Sequence, residues 1–353
     1  MPPAEPMTVL VTGAAGRMGA HLTRRLTAGG HIVRAFVLPD DPNNQAIDGP
    51  NVEIVPGRLE DRASVDRAVE GVDAVVALAG ALTSRLASDQ QFFDANLGGT
   101  FNLLMAARHH APNLRRFIYA SSDAVYWSGA ANPAAYLPID EMHPRQPGSI
   151  YGATKLGAEE LCLTFMRAYG IPATIIRPTA TADAWELVEP GSVFGRRIFL
   201  RGAINFLESQ PNLSTDELDL LAALRGRDDG TERLFALADP DGHVSTTILA
   251  DARDTAAGLE LLLTRPEAVG EAFNIGPAAP HGEEELVAYI AKRLDMDYVV
   301  IRRPAVRPDW YVTSAKAGRL LGYEPTRTIF QMVDEAVAAG HARAQPGPER
   351  TGS

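Results

Sequence analysis

The chain has 353 residues, 46% hydrophobic and 7% aromatic, with a formal net charge of −11; this is ordinary globular composition, long enough for one large or two modest domains. The acidic balance argues against nucleic acid or an anionic membrane surface as partner, since both recruit a Lys/Arg surplus. The single cysteine, Cys162, excludes an internal disulfide and a cysteine-cluster metal site, and its neighbours Leu161 and Phe165 mark it as a buried structural thiol. The adjacent pair His109-His110 is poor metal-ligand geometry on a helix, where partners sit four apart. No apolar run reaches transmembrane length. The opening Met1-Pro2-Pro3-Ala4-Glu5-Pro6 has neither a basic segment nor a signal-type apolar core, so a cytoplasmic protein is expected.

Thr8-Val9-Leu10-Val11 reads as a buried strand. It runs into Thr12-Gly13-Ala14-Ala15-Gly16-Arg17-Met18-Gly19, then a helix from Ala20 to Ala28 closed by Gly29-Gly30, then a second strand from His31 to Leu38. Strand, glycine loop, helix, strand is the context that a dinucleotide fingerprint requires. Gly13 permits the tight turn, Gly16 lets backbone N–H groups approach a pyrophosphate, and Gly19 lets helix pack on strand. The helix N-terminus adds partial positive charge. The spacing is Gly-x-x-Gly-x-x-Gly rather than Gly-x-Gly-x-x-Gly. Ala15, Arg17 and Met18 complete the cofactor-binding loop. An acid at the end of the second strand bonds a ribose 2′-hydroxyl, whereas an Arg accommodates a 2′-phosphate. Here Asp40 and Asp41 follow the strand and no Arg or Lys lies between Arg34 and Arg58, which favours NAD and leaves NADP open.

Further strands are expected at Val52–Val55, Asp73–Leu78, Arg116–Ala120 and Ala173–Pro178, with helices at Asp61–Glu70, Asp89–Arg108 and after Tyr151. This alternation predicts an α/β protein with a Rossmann-type doubly wound parallel sheet. Cofactor contacts are expected at Leu59, at Leu78, Ala79 and Gly80 where the fourth strand ends, at Asn96, and at Pro178. After Pro178 the pattern changes. Helices are expected near 195–208 and 214–225, at Glu283–Leu294 and at Ser314–Leu321, with Ala272–Gly276 as one more core strand. The organisation expected is a dinucleotide-binding domain over 7–178, rejoined by the strand near 272–276, a smaller and mainly substrate-binding lobe over 179–340, and a disordered tail over 342–353.

Tyr151-Gly152-Ala153-Thr154-Lys155 puts a phenol and an ammonium four apart on one helix face. A nearby positive charge lowers a phenol's pKa toward the range where it exchanges protons with a hydroxyl or ketone. Ser121-Ser122-Asp123 lies at the C-terminal end of the fifth strand, beyond which ligands of open parallel sheets bind.

Taken together, Thr12–Gly19, Asp73–Gly80, Asn96-Leu97-Gly98-Gly99-Thr100, Ser121–Tyr126, Glu141…Pro147…Tyr151–Lys155, Arg177-Pro178, Ser314-Ala315-Lys316 and Leu320–Pro325 resemble the extended short-chain dehydrogenase/reductases, the NAD-dependent epimerase/dehydratase family. The resemblance covers about residues 7–340. It implies catalytic Ser122, Tyr151 and Lys155, with Tyr151 as acid/base, Lys155 lowering its pKa and holding the nicotinamide ribose, and Ser122 orienting the substrate oxygen. It also implies substrate contacts from Ser122, Asp123, Thr179 and Arg196, and a homodimer formed through the helices near 89–108 and 152–168.

Three departures from the family pattern narrow the expectation. Asp123-Ala124 replaces the Asp-Glu of the family's dehydratases, which removes the second acid/base and argues against 4,6-dehydration. Arg177-Pro178 continues as Thr179-Ala180-Thr181 rather than Asn-Val-Tyr. Val244 stands where the sugar-nucleotide enzymes carry a diphosphate-binding Arg, and a buried diphosphate needs cationic, preferably bidentate partners, which Arg196, Arg197 or Arg201 could supply from elsewhere. Three functions remain: a dehydrogenase or reductase of a small hydroxyl or carbonyl compound such as a sugar or sugar acid, a nucleotide-sugar epimerase, or a non-catalytic NAD(P)-binding sensor.

Overall fold

A computed structural model describes residues 5–82, 88–127, 133–303 and 308–340; the expected tail at 342–353 lies outside them. In chain order the elements are β1 (Thr8–Thr12), α1 (Arg17–Ala28), β2 (Ile32–Val37), β3 (Val52–Pro56), α2 (Arg62–Val69), β4 (Ala74–Ala77), α3 (Asp89–Phe92), α4 (Gly99–His110), β5 (Arg116–Ala120), α5 (Ile150–Tyr169) and β6 (Ala173–Pro178). There follow β7 (Thr181–Ala182), α6 (Leu200–Glu208), α7 (Thr215–Arg225), β8 (Leu234–Ala238), β9 (Thr246–Thr247), β10 (Ala250–Asp251), α8 (Ala252–Thr264), β11 (Ala272–Ile275), β12 (His281–Gly282), α9 (Glu283–Leu294), β13 (Tyr298–Arg302), α10 (Ala315–Leu321) and α11 (Ile329–Ala338).

Seven strands form one sheet in the order β11-β6-β5-β4-β1-β2-β3, and every pairing in it is parallel. The central strands are continuous Val/Ile/Ala runs because both faces are covered; β4 and β6 are buried at every position. Edge strand β3 is largely exposed and carries Glu53. The order reverses between β1 and β4, and a crevice at such a switch point is where ligands of doubly wound sheets bind.

Two buried clusters sandwich this sheet. Leu22 and Leu26 of α1 join Val9, Val11 and Val76 on one face, while Leu103 and Leu104 of α4 join Cys162 and Phe165 of α5 on the other. The first cluster also takes Leu259 and Leu262 of α8, Phe273 of β11, and Leu321 and Tyr323 around α10. More of the chain beyond Pro178 thus returns to the first core than the single strand read from the sequence. The rest builds a second core, with Val287 and Ile290 of α9, Met332 and Val333 of α11 and Leu234 of β8. Strands β8 and β13 pair in parallel there, Leu234 opposite Tyr298.

The long helix expected over 89–108 is interrupted. Between α3 and α4 the backbone takes a π-helical turn, Phe93–Gly98, of the kind that collects at functional sites. The helix expected near 195–208 is a 3-10 turn, Gly195–Arg197, followed after a break by α6. No helix among the described residues is long and apolar enough to cross a membrane.

Candidate active site

The glycine loop is shaped by close approach. Gly13 has φ +66, and a Cβ there would come within 3.1 Å of the Ala79 backbone. A Cβ on Gly19 would lie 2.2 Å from the Gly13 carbonyl oxygen, so the first turn of α1 rests directly on the loop. Gly16 caps α1 without a side-chain hydrogen bond, and the first turn carries no acidic residue. Its backbone N–H groups and the helix dipole are therefore available to an anion. Ala15 and Met18 turn their side chains onto the core, which leaves them only main chain to offer a ligand.

Thr12, not singled out from the sequence, ties this loop to the next strand end. Its Oγ1 accepts hydrogen bonds from Leu78 N at 3.1 Å and Ala79 N at 3.0 Å. Beyond Ala79, a Cβ on Gly80 would strike Asn96 Oδ1 at 2.5 Å and approach Lys155 Nζ at 3.4 Å. Asn96, in the π-helical turn, accepts from Ala81 N at 2.8 Å and donates to Ala81 O at 3.2 Å. Leu59 is buried, with Asn102 Nδ2 donating to its carbonyl at 2.9 Å. Asp41 caps the turn after β2 by accepting from Asn43 N at 2.9 Å, which leaves exposed Asp40, at φ 62, as the acid free of that duty. The buried Ser121 hydroxyl at the end of β5 has no hydrogen-bond partner among the described residues. A loop that excludes side chains, an uncapped helix N-terminus, an acid past β2 and an unpartnered hydroxyl together fit a dinucleotide. Gly19→Ala is expected to push α1 off the loop and weaken NAD binding at least about tenfold, since overpacking costs about 1–3 kcal/mol. Titration calorimetry checks it, and unchanged affinity would place the pyrophosphate elsewhere.

The reactive group is assembled by α5 pressing on the turn after β5. Ser149 caps α5, its Oγ accepting from Gly152 N at 3.1 Å. Gly152 has no room for a Cβ, which would lie 2.7 Å from Ala124 O and 2.8 Å from Pro147. That close approach brings Tyr151 beside Ser122. Ser122 Oγ accepts from Ala124 N at 3.1 Å and donates to Asp123 Oδ1 at 3.2 Å. The Tyr151 ring meets the buried Phe92 edge-on at 5.9 Å. Lys155 is buried, donates from Nζ to Ala120 O at 2.9 Å, and lies 5.9 Å from the Tyr151 ring.

In the chain alone, burial governs the electrostatics of this pair. Burial pushes the Tyr151 phenol up to about 12; Ser122 opposes this and the Asp123 charge adds to it. Burial also pulls Lys155 down to about 8. Desolvation disfavours both charged forms, and in the chain alone it outweighs the attraction between them.

Other expected contacts have defined neighbours. The Arg17 guanidinium forms a bidentate pair with the buried Glu186, at 2.6 Å to each oxygen, so this loop residue reaches the segment beside the second core through its side chain. His21 Nε2 sits 2.6 Å from Asp183 Oδ1 one helical turn on. Pro178 and Thr179 are buried at the end of β6, where Thr179 N donates to Ile275 O at 3.0 Å. Arg196 stacks on Phe206 at 3.8 Å. Two contributors besides Thr12 escaped the sequence reading. Glu159, one turn beyond Lys155, makes a buried bidentate pair with Arg177 at 2.8 and 2.7 Å. Trp310 Nε1 donates to Asp123 Oδ2 at 3.0 Å.

The comparisons agree with this fold. A short-chain dehydrogenase/reductase superfamily protein from Agrobacterium tumefaciens, crystallised with bound NAD, superposes with a TM-score of 0.85 at 32% identity, covering 95% of this chain and 98% of that one. UDP-glucuronic acid 4-epimerase from Bacillus cereus shares the fold, with a TM-score of 0.70 at 21% identity over 94% of this chain and 99% of that one. Sterol demethylase protein B of Methylococcus capsulatus is 34% identical over 62% of this chain and 68% of its own length. Uronate dehydrogenase of Pseudomonas syringae pv. tomato is 34% identical over 48% of this chain and 58% of its own length. The chain thus matches between about half and two thirds of these two curated relatives. Residues 9–214 match the model of the NAD dependent epimerase/dehydratase family, and the chain belongs to that family.

Proposed function

We propose that the protein is an NAD-dependent dehydrogenase that oxidises a hydroxyl carbon of a small sugar or sugar-acid-like compound, or reduces the matching carbonyl. The observation that carries this is the convergence of Ser122, Tyr151 and Lys155 beside Gly80 and Asn96 at the sheet's C-terminal edge. Bound along Gly13–Gly19 and Gly80, NAD supplies a hydride acceptor and, when oxidised, a positive charge. Tyr151 exchanges the proton of the substrate oxygen. Ser122 orients that oxygen, and Lys155 presents its ammonium to the cofactor ribose while anchored on Ala120 O. Asp40 suits a ribose 2′-hydroxyl, hence NAD over NADP.

A small substrate is favoured over a nucleotide sugar by the arginines. Val244 supplies no cation, and Arg201 already donates to Gly230 O at 2.9 Å and lies 3.6 Å from Asp228. The uronate dehydrogenase among the relatives supports the same reading. The test is a screen of free sugars, sugar acids and nucleotide sugars with NAD and NADP. Net NADH formation in proportion to product supports a dehydrogenase, whereas product without net cofactor change would establish an epimerase.

We also propose a cytoplasmic homodimer. Phe101 of α4 and Tyr169 of α5 are 41% and 49% exposed. They belong to one aromatic row, Phe101 on Phe165 and Phe165 on Tyr169. Phe101→Asp is expected to convert a sedimenting dimer to monomer; a wild type that sediments as monomer at micromolar concentration removes the idea.

A further inference from the structure

Arg17 and His21 sit one turn apart on α1, and Asp183 and Glu186 sit three apart across the 3-10 turn Ala184–Leu187. Positions four apart on a helix share a face, so α1 presents two neighbouring side chains to that turn. Arg17 meets Glu186 through both oxygens and His21 Nε2 meets Asp183 Oδ1, each at 2.6 Å. Glu186 is built in from its own side as well. Its Oε2 accepts from Asp183 N at 2.9 Å, its carbonyl takes the Ser192 hydroxyl, and the adjoining Leu187 and Val188 bury in the second core. The same stretch continues directly from Thr179 through β7, which pairs with β10. The opening turns of α1, whose N–H groups no side chain caps, are thereby tied to the segment that leaves the C-terminal end of β6.

A guanidinium at this position can ligate a pyrophosphate, or it can hold the loop that does. Burial decides between the two. The Glu186 side chain is 4% exposed and that of Arg17 28%, and taking one partner from a buried pair leaves a charge that the interior cannot solvate. The bidentate fork also satisfies guanidinium and carboxylate together. Arg17 therefore keeps Glu186 when a dinucleotide arrives. We infer that Arg17 and Glu186, with His21 and Asp183 beside them, are positioning residues for the coenzyme: they clasp the glycine loop in the shape that receives a pyrophosphate, and so set how long NAD or NADH stays bound. The pyrophosphate itself is left to main-chain N–H groups of the loop and of α1. A loop held ready needs little ordering on binding. A loop released from its clasp lets the ligand leave sooner, because changes of this kind act mostly on the off-rate. Such a clasp serves a dehydrogenase and an epimerase alike, since it acts on the coenzyme and not on the substrate.

Stopped flow provides the test without any substrate. Protein loaded with NADH is mixed with excess NAD, and the fall of nicotinamide fluorescence gives the off-rate. Arg17→Met and Glu186→Gln are each expected to raise that rate about tenfold, with the on-rate within about twofold. Removing both charges together, Arg17→Met with Glu186→Leu, should raise it no further than either single change, because the two groups act as one unit. That double variant leaves no buried charge unpaired and carries the test if Arg17→Met fails to fold. Arg17→Lys keeps the charge without the fork and should fall between wild type and Arg17→Met. His21→Ala opens the more exposed pair and should raise the rate about threefold. If Arg17 is instead a phosphate ligand, Glu186→Gln frees it and slows NADH release, which overturns the clasp. Off-rates equal to wild type in every variant, with only the melting temperature of the cofactor-free protein lowered, overturn it as well. A wild type that binds no NADH removes the NAD assignment itself, and the clasp with it.

Discussion

Tyr151→Phe is expected to lower turnover by roughly 10²–10⁴-fold, the usual contribution of a positioned acid/base, while leaving NAD affinity within about twofold. The substitution removes one oxygen and little else. The ring keeps its edge contact with Phe92 at 5.9 Å. Gly152, whose missing Cβ lets α5 seat on Ala124, is untouched. Lys155 keeps its bond to Ala120 O, so the group assigned to the ribose does not move. What disappears is the phenolic oxygen assigned to exchange the substrate's proton. Steady-state kinetics should show the loss in kcat with KM for NAD nearly constant, the pattern of an interaction realised in the transition state. Calorimetry supplies the cofactor affinity independently. A variant that retains half of wild-type turnover would end the assignment.

The parts of this site legible in the sequence were those written in contiguous residues. Gly13, Gly16 and Gly19 sit in one loop flanked by an apolar strand and a helix, and each lies where a side chain would meet backbone. Tyr151 and Lys155 are four apart, so helix periodicity alone places them together. The central strands read clearly because burial on both faces makes them unbroken apolar runs. What stayed hidden depends on distant chain segments. Nothing near Asp123 announces Trp310, and nothing near Arg17 announces Glu186, because both contacts come from segments distant in sequence that meet only in the folded chain. The burial that pushes the Tyr151 phenol up is hidden in the sequence for a related reason. Spacing reveals the favourable charge on Lys155 but not the desolvation of both groups, which is a property of the folded interior. Strands β8 and β13 were missed because they are widely separated in sequence and find each other only in the finished fold. The break before α6 and the π-helical turn holding Asn96 are departures from periodicity that a helical repeat averages away.

Glu159→Ala is expected to destabilise the protein by about 3–5 kcal/mol, the cost of leaving a buried charge without its partner. Glu159 is fully buried and bonds Arg177 through both carboxylate oxygens. Arg177 is nearly as buried and also donates to Tyr126 Oη at 2.7 Å, and Tyr126 in turn donates to Asn274 Oδ1 at 2.8 Å. The network stitches α5 to β6 and β11, and the pairing holds the Arg177 guanidinium well above its ordinary range despite burial. With Glu159 gone, the guanidinium keeps the Tyr126 hydroxyl and loses the one carboxylate that it hydrogen-bonds among the described residues. Arg145, at 3.2 Å from Glu159, retains its separate partner Glu160. Urea unfolding should show a lower midpoint with an unchanged slope. The double replacement Glu159→Leu with Arg177→Met removes both charges, and it should recover most of the loss, because a buried pair replaced by apolar groups is often close to neutral. Activity provides the second reading. Glu159 follows Tyr151 and Lys155 along the same face of α5, so the double variant should fold yet turn over more slowly, its helix no longer pinned in rotation against β6. Equal stability of Glu159→Ala and wild type would mean that the ion pair merely offsets its own desolvation.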